Sequence, residues 1–314
     1  MAKPDCGYIF GDPTPTSDQP SSSATTSDVC DAGPSTDHSD QPAVTERPKR
    51  GKSNADRALL DMYNELFDCR EIDDPEGLDQ VFRLRYQVYC EETGFLDPAD
   101  NPNGRETDLF DDRSRHAGLF YKPTGRLIGT VRVVLPDASA PGAGLPAVLH
   151  APALKALPAS RLPHHRTGEI SRFAVCSSFR RRRGDGLYGR ETILVNGRAV
   201  DPRRVVPHAT LGLIKMIFQI AIDAGLSHTC AIIDPALLRM MRRLGFLYEP
   251  VGPTVEFHGP RQPVCGDGVE MMRHLADERP EIFDVVSDGG KLSISDLMAR
   301  RAANVDQDPT ALVK

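Results

Sequence analysis

The chain has 314 residues with a formal net charge of −6, and 39% of its residues are hydrophobic. This length permits one large domain or two small ones, and the negative charge gives no reason to expect the basic stripe of nucleic-acid-binding domains. Seven cysteines are present: Cys6, Cys30, Cys69, Cys90, Cys176, Cys230 and Cys265. They are odd in number, scattered and without a CxxC pair, which argues against a disulfide framework and against structural zinc. Free thiols suit a reducing cytoplasm.

The first 55 residues are rich in Ser, Thr, Asp, Pro and Gly and poor in branched aliphatic residues. Such a segment buries too little apolar surface to offset its ordering entropy, so we expect a disordered tail over residues 1–55. The basic run over residues 47–52 is either a solvated linker or a docking patch for an acidic partner. The N-terminus has no apolar core of a secretory signal, and the apolar stretch 211–226 is broken by charged residues. We therefore expect a cytoplasmic protein without a transmembrane segment.

The rest of the chain is interpreted as one domain over residues 56–275 and a peripheral C-terminal segment over residues 276–314. Hydrophobic periodicity predicts the following elements in chain order. The first half contains a helix from about Asn54, a strand over Phe67–Ile72, a helix over Leu78–Cys90, a hairpin of His116–Tyr121 and Leu127–Leu135, and an irregular excursion over Pro136–Arg166. The second half contains a strand over Glu169–Val175, a helix over Pro207–Ala224, a strand over His228–Ile233, a short helix opened by Asp234-Pro235, and strands over Phe246–Val251 and Val255–Val264. Strands and helices that alternate after a meander predict an α/β fold with a mixed sheet flanked by helices.

The second predicted helix carries the first group of candidate functional residues. Arg85 and Tyr89 are four residues apart and therefore share a helix face, and Phe95 follows shortly after the helix. Arg85 is either a functional cation or an ordinary surface cation.

A cluster of carboxylates forms the second group. It comprises Glu106, Asp108, Asp111 and Asp112, just before the predicted hairpin. Neighbouring carboxylates can hold a cationic or amine-bearing substrate by charge-assisted hydrogen bonds. A solvated acidic loop and a divalent-metal patch are the alternatives.

The third group lies on the predicted strand Glu169-Ile-Ser-Arg-Phe-Ala-Val175. Side chains alternate along a strand, so Glu169 and Ser171 face one way and Arg172 the other. A carboxylate and a guanidinium within an apolar strand are expensive to bury unless they are paired. Functional use and a structural ion pair both remain open.

The fourth group, Arg181-Arg-Arg-Gly-Asp-Gly186, lies between a predicted strand and a predicted helix. Glycines allow the backbone to approach phosphate oxygens, and successive N–H groups beside arginines suit a pyrophosphate or a phosphopantetheine phosphate. The alternative is a basic surface without a ligand.

In order, these residues resemble a family pattern. The elements of that pattern are Arg85-x-x-x-Tyr89 with Phe95, Asp108-x-x-Asp111, Arg132 in a strand, and Glu169-x-x-Arg172-Phe173. The pattern is similar to the acyl-homoserine-lactone (autoinducer) synthases and their relatives, the N-acyl amino acid synthases and the exosortase-associated acyltransferases of the PEP-CTERM sorting system. The resemblance covers residues 67–250 and implies the GNAT fold, a mixed central sheet flanked by helices, and acyltransferase activity.

The resemblance also implies roles for individual residues. Catalytic roles fall to Glu169, Ser171 and Arg172, and substrate-binding roles to Arg85, Tyr89, Phe95, Asp108, Asp111, Arg132 and Phe173. Arg85, Tyr89 and Phe95 are implied to lie in a mobile N-terminal lid. The donor's phosphopantetheine would be bound by Val175, Arg181, Arg182, Arg183, Gly184 and Gly186. We expect no metal site and no permanently bound cofactor.

Two departures from the pattern bear on function. The autoinducer synthases have Trp at the position of Phe95, and this chain contains no Trp, which favours an acceptor other than that of the lactone synthases. Many GNAT enzymes carry a Tyr where this chain has Met241, so the proton donor to the leaving thiolate is not assigned.

The sequence therefore predicts transfer of a fatty acyl group from an acyl-carrier-protein (ACP) or coenzyme A thioester to the amine of an amino-acid-like acceptor. Attack requires the free amine, and Glu169 is the predicted base because burial in an apolar strand raises a carboxyl pKa. The alternatives are homoserine-lactone synthesis from S-adenosylmethionine and a non-catalytic acyl-carrier-binding or regulatory module.

Overall fold

The computed structural model describes residues 54–137, 144–179, 193–195, 198–200, 209–293 and 295. Residues 1–53 of the expected tail, with the basic run, and the glycine-rich hexad over residues 181–186 lie outside the described residues, whereas residues 54 and 55 of that tail are helical. Among the described residues, no helix combines the length and the apolar character needed to cross a membrane.

The described helices and strands follow the predicted order. They are α1 (Asn54–Leu66), β1 (Phe67–Ile72), α2 (Pro75–Tyr86) with a π-helical continuation (Gln87–Glu92), β2 (Ser114–Tyr121), β3 (Arg126–Val134), α3 (Pro146–His150), α4 (Pro152–Lys155), β4 (Thr167–Val175), β5 (Ile193–Val195), β6 (Arg198–Val200), α5 (Thr210–Asp223), β7 (His228–Ile233), α6 (Pro235–Arg243), β8 (Glu249–Pro250), β9 (Val255–Glu256), β10 (Pro260–Asp267), α7 (Gly268–Glu278) and α8 (Pro280–Val286). The predictions for β1 and β7 are confirmed at their bounds. The strand predicted over Phe246–Val251 is wrong for most of its length, since only Glu249–Pro250 pairs.

Local signals explain where several helices begin. Asp74 caps α2 by accepting a hydrogen bond from the Gly77 backbone N–H at 2.8 Å, and a proline follows at the first helical position. Asp234 caps α6 in the same way, accepting from the N–H groups of Ala236 and Leu237. The expected Asp-Pro helix start at residue 234 is thus confirmed.

One mixed sheet organises the described residues. Its strand order is β1-β2-β3-β4-β7-β10-β8, with β9 paired to β10, while β5 and β6 form a separate two-stranded hairpin. Neighbouring strands run antiparallel except β4 and β7, which are parallel. The predicted mixed sheet flanked by helices is confirmed.

The parallel strands β4 and β7 pair over only part of their length. The two strands pair only from Thr167 to Glu169 on β4 and from His228 to Cys230 on β7. Beyond these residues both strands continue, to Val175 and Ile233, without pairing with each other. A wedge-shaped gap therefore opens in the middle of the sheet, immediately after Glu169.

A bulge in β4 accompanies this gap. The register between β3 and β4 shifts between Thr130 and Arg132, and Arg172 adopts a left-handed backbone conformation with φ of 51°. This conformation costs about 1–2 kcal/mol in a non-glycine residue, so the surrounding contacts must hold it in place. β-bulges redirect side chains and are frequent beside active sites.

The core consists of two clusters. The larger one includes buried residues of α1, α2, α5, α6, α7 and α8, with Leu213, Ile220 and Met272 fully buried. The smaller one packs α3 and α4 against Val134 and Cys230. The predicted burial of Cys90, Cys176 and Cys230 is confirmed.

The expectation that residues 276–314 are peripheral is wrong for α8. Ile282, Val285 and Val286 are each at most 1% exposed and belong to the larger core cluster, where α8 packs against α1 and α5. Only a short apolar repeat marks this helix in the sequence, and its burial depends on the distant helix α1.

Candidate active site

A cavity of about 320 Å³ occupies the gap between β4 and β7. Its polar side is lined by Asp108, Arg132, Glu169, Ser171 and Arg172. Its apolar side is lined by Ile217, Ala231, Ile233, Leu237, Met241 and Val264. Side chains alternate along a strand, so Ala231 and Ile233 lie on the sheet face opposite Cys230. The cavity is therefore lined from both faces of the sheet, polar on one and apolar on the other.

Glu169 lies where the two strands part and is 5% exposed. Its carboxyl accepts a hydrogen bond from the backbone N–H of Ala147 at the start of α3. Burial raises the pKa of Glu169 to about 7, against the opposing effects of the Ala147 N–H and the positive charges of Arg132 and Arg172. The predicted rise in this pKa is confirmed, and near neutral pH the carboxyl can both accept and release a proton.

Charged side chains beside Glu169 form a network of ion pairs. Arg85 donates through Nε to Glu106 at 2.5 Å and through Nη1 to Asp111 at 2.7 Å. Arg172 donates to Glu106 from the opposite side, with its Nε at 3.0 Å and its Nη2 at 2.8 Å. Glu106 is 2% exposed, and two guanidiniums thus compensate its buried charge.

Arg132 joins the two aspartates to β4. Its Nη1 donates to Asp108 at 2.6 Å and to Asp111 at 2.7 Å, while its Nε donates to the Ser171 hydroxyl at 3.0 Å. Arg172 completes the connection by donating through Nη2 to Asp108 at 2.9 Å. The ion-pair network therefore consists of Arg85, Glu106, Asp108, Asp111, Arg132 and Arg172.

The electrostatics of the network hold its carboxyls in the ionised state. Burial acts to raise the pKa of Glu106, but the charges of Arg85 and Arg172 outweigh it and the pKa is lowered. The pKa of Asp108 is lowered mainly by Arg132 against the effect of burial, and that of Asp111 falls furthest. Three carboxylates and three guanidiniums thus compensate one another. Glu169, outside the network, is left to titrate near neutrality.

The structure brings together most of the candidate residues named from the sequence. Those that line the cavity are Tyr89, Phe95, Asp108, Arg132, Glu169, Ser171, Arg172 and Phe173. Arg85 and Asp111 are absent from this lining, but Asp111 accepts hydrogen bonds from both Arg85 and Arg132, and Arg132 is part of the lining. Val175 is buried at the end of β4, outside the lining. The predicted phosphate-binding residues Arg181 to Gly186 lie outside the described residues.

Arg85 is completely buried, so the alternative of an ordinary surface cation is wrong. The acidic group is likewise not a solvated loop at Glu106, Asp108 and Asp111, because each of these carboxylates is bound by guanidiniums. Among the described residues, no cluster of His, Cys, Asp and Glu is arranged to hold a metal ion.

Glu106, one of the candidate carboxylates, is the most deeply buried acid of the network. Sequence reasoning missed three residues that line the cavity, His150, Tyr248 and Arg261, which belong to no pattern in the sequence. Each is brought there by tertiary packing of the segments after β3 and β7.

Residues 84–189 match the sequence model of the family Acetyltransf_5, described as an acetyltransferase (GNAT) domain. The matched segment covers about a third of the chain. It spans the ion-pair network, β4 and Glu169, and the predicted GNAT fold and acyltransferase activity are thereby confirmed at the level of the family. No curated protein matches the chain.

Several solved structures are similar to this chain at low sequence identity. FeeM, an N-acyl amino acid synthase from uncultured soil microbes, is 17% identical over 66% of this chain and 94% of its own, with a TM-score of 0.44. TofI, in a ternary complex with an inhibitor and MTA, is 18% identical over 69% and 99%, with a TM-score of 0.46. The CoA-dependent acyl-homoserine lactone synthase BjaI is 18% identical over 76% and 99%, with a TM-score of 0.43.

Proposed function

We propose that this GNAT enzyme transfers a fatty acyl group from a CoA or ACP thioester to the amine of an amino-acid-like acceptor. The observation that carries the proposal is the position of Glu169, a buried carboxyl with a pKa of about 7 in a cavity between two parting strands. The match to the GNAT family model supports acyl transfer, and the cavity supports the more specific donor and acceptor.

Glu169 suits the role of base in this reaction. An α-amino group has a reference pKa of about 8, so much of the acceptor is protonated at neutral pH and cannot attack a carbonyl. A carboxylate with a pKa near 7 is matched to remove that proton, directly or through one water. The new N–C bond then forms as the C–S bond breaks, and the departing thiolate leaves as the carrier's thiol after it takes up a proton.

The two sides of the cavity suit the two substrates. The apolar side, lined by residues such as Ile217, Leu237 and Met241, suits an acyl chain. The edge of β4 that faces the gap pairs with no described strand after Glu169, and backbone amides on such an edge can polarise a thioester carbonyl. Such donors are worth a few kcal/mol of transition-state stabilisation. The polar side, with Asp108, would receive the amine.

A screen of donors and acceptors with product masses tests this function. CoA and ACP thioesters of several chain lengths are combined with the common amino acids, simple amines and S-adenosylmethionine. Thiol release that requires an amine, with an open-chain N-acyl product, supports the proposal. If the only product is a homoserine lactone formed from S-adenosylmethionine, signal synthesis replaces the proposed function. If no amine causes thiol release, the proposed function is rejected.

The pH dependence of turnover follows from Glu169. The base works only when ionised, so kcat/KM is expected to rise as the pH increases through about 7 and to reach a plateau above it. The amine of the acceptor adds its own limb to the profile. Two acceptors whose amine pKa values are about 8 and about 10 therefore separate the limbs, because only the substrate limb moves. A profile without any limb near 7 would argue against Glu169 as the base.

Asp108 is the network acid that faces the cavity, and its side chain is 24% exposed. Asp108→Asn is expected to raise the KM for the acceptor roughly 10-fold while changing kcat less, since it removes one charge-assisted contact to an amine. The measurement is steady-state kinetics with the acceptor varied at a saturating donor concentration. An unchanged KM would remove Asp108 from acceptor binding.

A further inference from the structure

Arg261 on β10 lines the same cavity and stands outside the ion-pair network. It is 6% exposed, so its guanidinium is almost completely removed from solvent. The guanidiniums of Arg85, Arg132 and Arg172 each have a carboxylate oxygen at 3.0 Å or less. The nearest carboxylate oxygen to Arg261 among the described residues is Oδ2 of Asp234, at 3.6 Å.

Asp234 is engaged elsewhere. Its Oδ1 accepts hydrogen bonds from the backbone N–H groups of Ala236 at 2.7 Å and Leu237 at 3.3 Å, which caps α6. The helix N-terminus already compensates part of the charge of a carboxylate in this position. The positive charge of Arg261 is therefore only partly neutralised within the described structure.

Backbone carbonyls hold the Arg261 guanidinium in a fixed orientation. Its Nη1 donates to the carbonyl oxygen of Pro260 at 2.9 Å, and its Nη2 donates to that of His258 at 3.1 Å. His258 adopts a left-handed conformation with φ of 50°, and Gly259 follows with φ of 98°. Because a guanidinium has five N–H donors, these two bonds leave three for a ligand.

Aromatic rings surround this guanidinium. It stacks over Phe95 at 5.0 Å from the ring centroid, and Phe95 packs against His258 at 4.8 Å. His150 and Phe257 pack together at 4.4 Å on the same side and also line the cavity. Burial lowers the pKa of His258, and the charges of Arg172 and Arg261 add to that effect, consistent with an excess of positive charge here.

Strand register places this group relative to Glu169. Glu169 pairs with Cys230 on β7, and Gln262 on β10 pairs with Ile233, so Arg261 lies about four residues further along the strands. Four residues correspond to about 13 Å of strand, a distance that the two long side chains shorten from both ends. The carboxyl and the guanidinium thus approach one cavity from opposite ends.

We propose that Arg261 is the anchor for a carboxylate on the acceptor, which makes it a specificity-determining residue for amines that also carry a carboxylate. This inference rests on the proposed function and adds a recognition element to it. The guanidinium binds the carboxylate through two parallel N–H···O bonds, and the amine is directed back toward Glu169. The rings of Phe95 and Phe257 form the wall along the rest of the acceptor.

A purely structural role for Arg261 is the alternative, since its hydrogen bonds also tie the segment before β10. The two roles predict different substrate profiles. Wild-type enzyme and the Arg261→Gln variant are assayed with a series of L-amino acids and with the same amino acids as C-terminal amides. Arg70→Gln is the matched control, because Arg70 also stacks on a phenylalanine, Phe120 at 4.3 Å, but has a side chain that is 63% exposed.

The expected wild-type result is a preference for the free carboxylate of roughly 10- to 100-fold in kcat/KM, as for a hydrogen bond to a charged group. Arg261→Gln is expected to abolish this preference by raising the KM for the amino acids. The kcat for the amino acids and the kcat/KM for the amides should change little. Arg261→Lys should restore part of it, and Arg70→Gln should behave as wild type. Equal losses for both series, or no carboxylate preference in the wild type, would overturn the anchor.

A binding measurement separates this inference from the proposed function. N-decanoyl amino acids and their amides are titrated calorimetrically into wild-type and Arg261→Gln protein. Selective loss of binding by the acids supports the anchor without any turnover, and equal binding of acids and amides by wild-type protein rejects it. If the enzyme acylates the amides but acids and amides bind equally well, the role of Arg261 is rejected and the proposed function stands.

Discussion

Glu169→Gln is expected to lower kcat by about 10²- to 10⁴-fold, which is the usual contribution of a positioned general base. Glutamine keeps the size of the side chain and an oxygen that accepts the Ala147 N–H, but it cannot take a proton from the amine. Donor binding should therefore persist. Single-turnover thiol release and titration of a non-hydrolysable acyl-CoA analogue measure the two effects separately.

The stability of the Glu169→Gln variant is a control for its loss of activity. Because the folded-state pKa of Glu169 is raised to about 7, the folded protein binds more protons than the unfolded chain between about pH 4.5 and 7. This group therefore reduces stability as the pH rises through that window, and glutamine removes the reduction. Glu169→Gln should be at least as stable as wild type at pH 8. Near-normal turnover in a folded variant would exclude the base role, and the exposed Glu249→Gln should leave turnover unchanged.

The composition of β4 made the position of the site predictable. An apolar strand that carries Glu169 and Arg172 requires either pairing or a functional cleft, since both charges are costly to bury. The structure contains both solutions. Arg172 is paired with Glu106 and Asp108, while Glu169 lies in the cavity with its pKa raised by burial.

Burial of Arg85 could not be predicted from its helix alone. On α2 it follows Arg83, which remains exposed and pairs with Asp79 one turn earlier. Arg85 is buried only because the loop before β2 folds back and places Glu106 and Asp111 against it. That contact spans more than 20 residues of sequence, and local periodicity contains no information about it.

The gap between β4 and β7 is not contained in the local pattern of either strand. It depends on a bulge at Arg172 and on pairing that stops at Glu169. The position of Arg261, on the other side of the cavity, was also not predictable from the local sequence. Its segment reads as a plain strand, and only the register of β10 against β7 brings it to the site.

Glu106→Gln is expected to destabilise the protein by about 3–5 kcal/mol, the usual effect of breaking a buried ion pair from one side. Glu106 is 2% exposed and compensates two guanidiniums, so the neutral variant leaves excess positive charge in a buried site. Urea unfolding at neutral pH, followed by far-UV circular dichroism, measures the change in the free energy of unfolding. Activity should fall as well, because Arg172 loses the contact that fixes its strained backbone.

Glu71→Gln is the matched control for this prediction. Glu71 also forms an ion pair with an arginine, Arg115, but the two side chains are 29% and 25% exposed, and water can solvate the partner that remains. Its loss should cost about 1 kcal/mol or less. If Glu106→Gln lowered the free energy of unfolding no more than Glu71→Gln does, the ion-pair network would not be holding Arg172 in its conformation. The shape of the cavity beside Glu169 would then need a different cause.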